Sequence, residues 1–308
     1  MKKVLKINCI HNDKLSCLER PIATTINWYH KEYRYIFASS WSFSYNFMEE
    51  YKGIRFVPEL MEFLENAKKY TGISFYVQTA SIFRRYETII EELTKNHPVI
   101  TYIDSFWCPW FPSYGKSHIH HYILIIGVNT EREFFICLDK LDTQKKVILP
   151  FQDYNQGSGE IITISFHDAV IMKNIVENSI LKLNPTLLKR NIDLFADKVK
   201  DSLDIDLHLN NYHDARVSPL YTWLKGVAND RLNYCEFLQL SSTNSYLYFI
   251  EKLQEISEEW RSVMILLIRA GKRKNSPDVY TRLSNRIHKI AEQEFILMNK
   301  LKRTIYDE

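Results

Sequence analysis

Apolar positions in the first third of the chain recur mostly at helical spacing. Leu18, Ile22, Thr25, Ile26, Tyr29 and Tyr33 mark one face of a helix that begins at Ser16–Cys17. Ser16 is a good N-cap, and Glu19 three residues on completes a capping box, which makes Cys17 the first helical residue. Pro21 conflicts with the pattern, because it cannot donate to the Cys17 carbonyl and bends the helix. Residues 3–10 read as a short strand or extended lead-in. Between Tyr35 and Phe47 aromatic and small polar residues alternate, as in a strand or an irregular segment walling a cleft. Pro58–Tyr70 is an amphipathic helix, with Leu60, Phe63, Leu64 and Ala67 on one face. Ile73–Val77 reads as a strand and Ser81–Leu93 as a helix.

The period then changes. Pro98–Ile103 is a strand ending at Asp104, followed by an aromatic loop, Phe106–Tyr114, broken by Pro109 and Pro112. His121–Val128, Glu133–Leu138 (ending at Asp139), Lys146–Leu149 and Ile161–Ser165 follow as strands joined by short turns, which predicts an antiparallel sheet beside the earlier helices. Beyond about residue 166 the spacing is helical again. Asn184 caps a helix with Pro185 at its first position, running to Lys200. Asn244–Ala270 carries a stripe of Leu247, Ile250, Leu253, Ile256, Trp260, Val263 and Leu267, with Gly271 as its stop. The polar turn 272–277 leads to an antiparallel partner, Asp278–Lys302. The expectation is an α+β protein, with a catalytic domain over 1–165 and a helical region over 166–308.

Composition narrows the class. A net charge of +3, from 40 Lys and Arg against 37 Asp and Glu spread along 308 residues, leaves no nucleic-acid footprint. Lys6 interrupts the apolar start, so no signal peptide is expected, and the apolar run Tyr122–Val128 is too short to span a bilayer. Cys9, Cys17, Cys108, Cys137 and Cys235 are odd in number and scattered, which argues against a disulfide framework or zinc ribbon and for reduced thiols in a cytoplasm.

The unpaired N–H groups and positive dipole end of the helix favour the Cys17 thiolate, though an ordinary core helix fits the same stretch. A cysteine nucleophile needs a base and a group to hold it. His118, His120 and His121 cluster before a buried strand, and His121 opens it. If that strand pairs with the next across 129–132, Asp139 falls near His121 and accepts a hydrogen bond from it. Asp139 reads equally as a strand end before a turn. A zinc site built on the three histidines lacks a fourth ligand at suitable spacing, so no metal is expected. Cys108 and Cys137 read as packing, and Cys9 lacks the capping signature.

The order Cys17, His121, Asp139 is similar to that of papain-like enzymes. Ser16–Cys17 with the helix into Asn27–Tyr29, Pro98–Asp104, His120–Gly127 and Phe135–Asp139 resemble one branch, the butirosin biosynthesis BtrH N-terminal family. The resemblance covers about the first 165 residues and extends to amide-forming enzymes of closthioamide assembly. It implies a papain-like fold and acyl transfer in antibiotic biosynthesis, from a thioester on an acyl or peptidyl carrier protein, through Cys17, to a small-molecule amine. The protein would hold no cofactor of its own, the substrate arriving on a phosphopantetheine arm. Papain-like enzymes often place a Gln about six residues before the nucleophile as oxyanion donor. Here that neighbourhood holds His11 and Asn12, which become the candidates. Asp104 is either a turn former or a group that attracts a cationic amine, and Trp107 and Trp110, with the Trp41–Phe47 stretch, either pack in the core or shield the site and stack on a flat acyl group. The C-terminal helices serve to dock the carrier, cover the cleft or form a homodimer, with Lys272, Arg273, Lys274, Lys300, Lys302 and Arg303 as basic contacts. A cysteine peptidase or amidase, and a non-catalytic papain-like binding protein, remain the alternatives.

Overall fold

The computed structural model describes residues 1–44, 46–48, 53–55, 60–139, 142–169, 174–201, 218–241, 244–272 and 277–307. In chain order the strands are β1 (Lys2–Val4), β2 (Asn46–Met48), β3 (Gly53–Arg55), β4 (Ile73–Gln78), β5 (Val99–Asp104), β6 (His120–Asn129), β7 (Phe134–Asp139), β8 (Asp142–Pro150) and β9 (Ser158–Phe166). The helices are α1 (Glu19–Trp28), α2 (Leu60–Thr71), α3 (Ile82–Thr94), α4 (Phe151–Gly157), α5 (Ile175–Lys182), α6 (Pro185–Asp201), α7 (Pro219–Leu238), α8 (Leu247–Lys272) and α9 (Pro277–Asp307). The chain is α+β and forms two compact units, Met1–Ile36 with Leu64–Ile171, and Phe37–Phe63 with Met172–Glu308.

The first unit is built on a seven-stranded sheet of order β4-β9-β5-β6-β7-β8, in which β1 also pairs with β6. Every pairing is antiparallel. β5 covers the first part of β6 and β1 the last, so β6 is buried from His121 to Asn129 and reads as one continuous apolar run. α3 packs on β5, β6 and β9, and Ser81 caps it, its Oγ accepting the Arg84 N–H.

The β6–β7 hairpin carries a defect in its register. Near the turn Asn129, Val128 and Gly127 face Phe134, Phe135 and Ile136, whereas farther out Ile125 and Leu124 face Cys137 and Leu138. Ile126 is therefore one residue extra on β6, a bulge. Its carbonyl is taken by the Leu5 N–H at 2.8 Å, just beyond β1. Gly127 is what lets β1 in, since a Cβ there would stand 2.6 Å from the Lys3 carbonyl oxygen.

In the second unit α6 starts as expected, with the Leu187 N–H donating to Asn184 Oδ1 at 3.0 Å and Pro185 next. α8 and α9 run antiparallel: Glu259 pairs with Arg286 at 2.7 Å near one end, and Lys300 lies 4.0 Å from the Tyr248 ring centre near the other. Of the α8 stripe, Ile250 to Leu267 is buried while Leu247 is exposed. The helix runs through Gly271 to Lys272 rather than stopping before it. Pro58, Arg273 and Lys274, with most of the 272–277 turn, lie outside the described residues.

The sequence reading places Trp41–Phe47 beside a cleft; the structure sends Trp41 and Phe43 into the helical core. Glu294 of α9, fully buried, accepts from Trp41 Nε1 (2.8 Å), Trp260 Nε1 (2.7 Å) and Arg231 Nη2 (2.8 and 3.0 Å). Arg231 Nη1 donates to the Ser42 carbonyl at 2.7 Å, and Phe43 packs among Phe195, Trp223 and Trp260. These contacts tie Trp41, Ser42 and Phe43 to the helices of the second unit. Glu294→Gln leaves a buried guanidinium without its counter-charge and should cost about 3–5 kcal/mol in urea denaturation followed by tryptophan fluorescence. Glu292→Gln, at an exposed position of the same helix, should stay within about 0.5 kcal/mol.

Candidate active site

The segment before α1 is pinned from both sides. Glu19 N–H donates to Ser16 Oγ at 3.1 Å and Ser16 N–H to Glu19 Oε2 at 2.6 Å, the reciprocal bonds of a capping box. Regular helix nonetheless begins at Glu19, two residues later than expected. Arg20 N–H reaches the Ser16 carbonyl and Ile22 N–H that of Leu18, but Pro21 has no N–H for the carbonyl of Cys17 between them. Cys17 thus sits half-buried in a turn opening the helix. Arg20, only 1% exposed, folds back to donate to the carbonyls of Ile10 (3.1 Å) and Asn12 (2.5 Å), fixing the incoming strand of chain.

Across from this turn stands His121, the second residue of β6. Its Nε2 hydrogen-bonds both oxygens of Asp139, at 2.9 and 3.0 Å, and both side chains are almost wholly buried. The bulge makes this possible. Continuing the turn-proximal register would put Asp139 opposite Leu124, on the face away from His121. The extra residue places it opposite Ile123 instead, diagonal to His121 on the same face. Trp110 Nε1 donates to Asp139 Oδ2 at 2.6 Å, and the Phe111 ring lies 4.8 Å from the imidazole. The aromatic loop therefore closes over the pair.

Burial pulls the His121 pKa down, but the hydrogen bonds and negative charges of Asp139 and Cys17 outweigh it and raise it to about 9. Cys17 is near enough to the imidazole for its sulfur to raise the His121 pKa as well. An imidazolium between a carboxylate and a sulfur is the state this setting favours. The other thiols are in poorer settings: burial raises the pKa of Cys9, Cys108 and Cys137 alike.

The remaining candidates disperse. His11 is exposed, and Asn12 Oδ1 accepts the Lys14 N–H at 3.1 Å in a local turn. Asp104 is engaged locally: its oxygens accept from the Phe106 and Ile119 N–H groups and pair with His118 at 2.5 Å. Trp107 packs against Gly157, where a Cβ would come within 2.7 Å of its ring. The three clustered histidines take three different partners, His118 stacking on Phe106, His120 packing at a tilt against Tyr102 and His121 bonding Asp139. Among the described residues no group of three or more His, Cys, Asp or Glu is placed to hold a metal ion, and no helix is long and apolar enough to cross a membrane. The sequence reading missed Arg20, whose charge suggests a solvent-facing position, and it gave Trp110 a substrate where the structure gives it Asp139.

Asp139→Asn should drop the His121 pKa sharply, because burial then dominates; histidine NMR titration reads this directly. A folded-state pKa raised from 6.5 to about 9 stabilises the protein fully below pH 6.5 and loses that contribution as pH climbs through 9. Urea denaturation at pH 6 and pH 9.5 should show the loss in the native protein and a smaller one in the variant.

Among curated proteins none matches the chain. A family model described as butirosin biosynthesis protein H, N-terminal, matches residues 16–140, the segment that carries Cys17, His121 and Asp139. Over those residues the chain is similar to the butirosin biosynthesis protein H N-terminal family.

Proposed function

We propose that this protein is a papain-like acyltransferase of antibiotic biosynthesis that forms an amide through a Cys17 acyl-enzyme. The observation that carries the reading is the buried imidazole of His121, hydrogen-bonded to Asp139 and near enough to Cys17 for the sulfur to raise its pKa. The family name supports the biosynthetic setting. Cys17, as thiolate, attacks the carbonyl of a thioester borne by a carrier protein's phosphopantetheine arm. The Cys17 backbone N–H is the candidate donor to the oxyanion. His121 gives its proton to the departing thiol, leaving the acyl group on Cys17 and a neutral imidazole. A small-molecule amine then attacks the acyl carbonyl, passes a proton to His121 and leaves as the amide, restoring the thiolate and imidazolium. Asp139 keeps the ring oriented and favours its charged form. Trp110 and Phe111 screen the pair from water, which supports aminolysis over hydrolysis.

Incubation with an acylated carrier protein should add the acyl mass at Cys17 in intact-protein mass spectrometry. Cys17→Ala should remove the adduct and cut turnover at least about a thousandfold. An adduct on Cys9, or none at all, overturns the assignment. Turnover of peptides at a rate matching that of thioester plus amine would favour the peptidase reading. Acylation should decline above about pH 9, where His121 loses the proton needed by the leaving thiol, and in Asp139→Asn the decline should move to lower pH.

A further inference from the structure

Side chains on neighbouring residues of β6 alternate between faces, so His120 and Tyr122 lie on the face away from His121. There Tyr102 of β5 is in register with Tyr122, and Asp104 with His120. Their rings form a continuous shelf: centroids are 4.4 Å apart for Tyr102 and His120, 5.2 Å for His120 and Tyr122, and 6.0 Å for Tyr102 and Tyr122. Gly159 of β9 makes room for it, since a Cβ there would come within 2.5 Å of the Tyr102 ring. Beside the shelf stands Glu160, half-buried, accepting the Tyr122 O–H. Among the described residues no basic side chain pairs with its carboxylate. Arg85 reaches the same strand but donates to the Gly159 carbonyl at 2.5 Å.

We propose that Glu160, Tyr102 and Tyr122 form a subsite for a substrate's alkylammonium group. A half-buried carboxylate without a counter-charge, edged by aromatic faces, matches a cation that carries both charge and apolar carbon. Asp104, the acid first suggested for this task, is already occupied by His118 and two backbone N–H groups. Burial holds the His120 pKa below its ordinary value, so at neutral pH that ring adds a polar face instead of a rival cation. His120 and Tyr122 flank His121 in β6, so the shelf lies one residue from that histidine along the strand, on its other face. In its role the subsite rests on the acyl-transfer reading; as a binding site it does not.

Direct titration of the intact protein with 1,4-diaminobutane, against 1,4-butanediol as the uncharged control, tests the site without turnover. The diamine should bind and the diol should not, with Glu160→Gln weakening the diamine roughly tenfold and Tyr102→Leu weakening it independently. Equal affinity of the native and Glu160→Gln proteins for the diamine overturns the proposal. Two kinetic arms locate the source of the ammonium. A Glu160→Gln loss of preference for a 4-aminobutyryl over a butyryl thioester assigns it to the acyl donor, and a loss of preference for 1,4-diaminobutane over 4-amino-1-butanol assigns it to the acceptor. Glu160-dependent diamine binding in a protein that never acylates at Cys17 would sustain the subsite and sink the acyl-transfer reading.

Discussion

One surplus residue in β6 decides which face of the sheet Asp139 occupies. The hairpin turn alone sets a register in which odd-numbered residues of β6 oppose even-numbered residues of β7. Ile126 breaks that parity, and beyond it His121 and Asp139 share a side. The bulge is held from outside the hairpin, by the Leu5 N–H on its free carbonyl and by β1 lying against Gly127. The few residues that open the chain therefore secure the alignment of a histidine and an aspartate more than a hundred positions later.

What surrounds the pair works in the same direction. Desolvation alone would strip the proton from His121, and an unpaired buried carboxylate would be costlier still. Together they hold a charge that neither would keep alone, and Trp110 Nε1 donates to the same carboxylate. On the other side, Pro21 withholds one helical hydrogen bond at Cys17 while the capping box and Arg20 hold the backbone around it. The proline removes the carbonyl of Cys17 from the helical ladder without loosening the turn.

The parts legible in the sequence were those fixed by local rules. Ser16 with Glu19, Ser81, Asn184 before Pro185, the β6–β7 hairpin and the α8 stripe each follow from spacing within a few residues. Parts set by distant contacts were not legible. α7 went unrecognised because it buries Asn229, Arg231 and Asn233 along with its apolar residues, so no polar stripe marks it. Trp41 and Phe43 look like cleft walls until Glu294 and Arg231, some two hundred residues away, supply their partners. Asp104 reads as a free acid because nothing local announces that His118 and the Ile119 N–H return to it. The approach of Asp139 to His121 could be anticipated from the hairpin, but the register that delivers it could not.

The division of the chain into units has a consequence for how the sequence can change. The segment matched by the family model, residues 16–140, draws on both units and omits β8 and β9, which complete the sheet. It is therefore not a unit of folding. Trp41 and Phe43 lie within the match but pack among side chains of helices beyond it, so substitutions in those helices are felt inside it. Residues on either side of that aromatic core can diverge in sequence only as far as it allows.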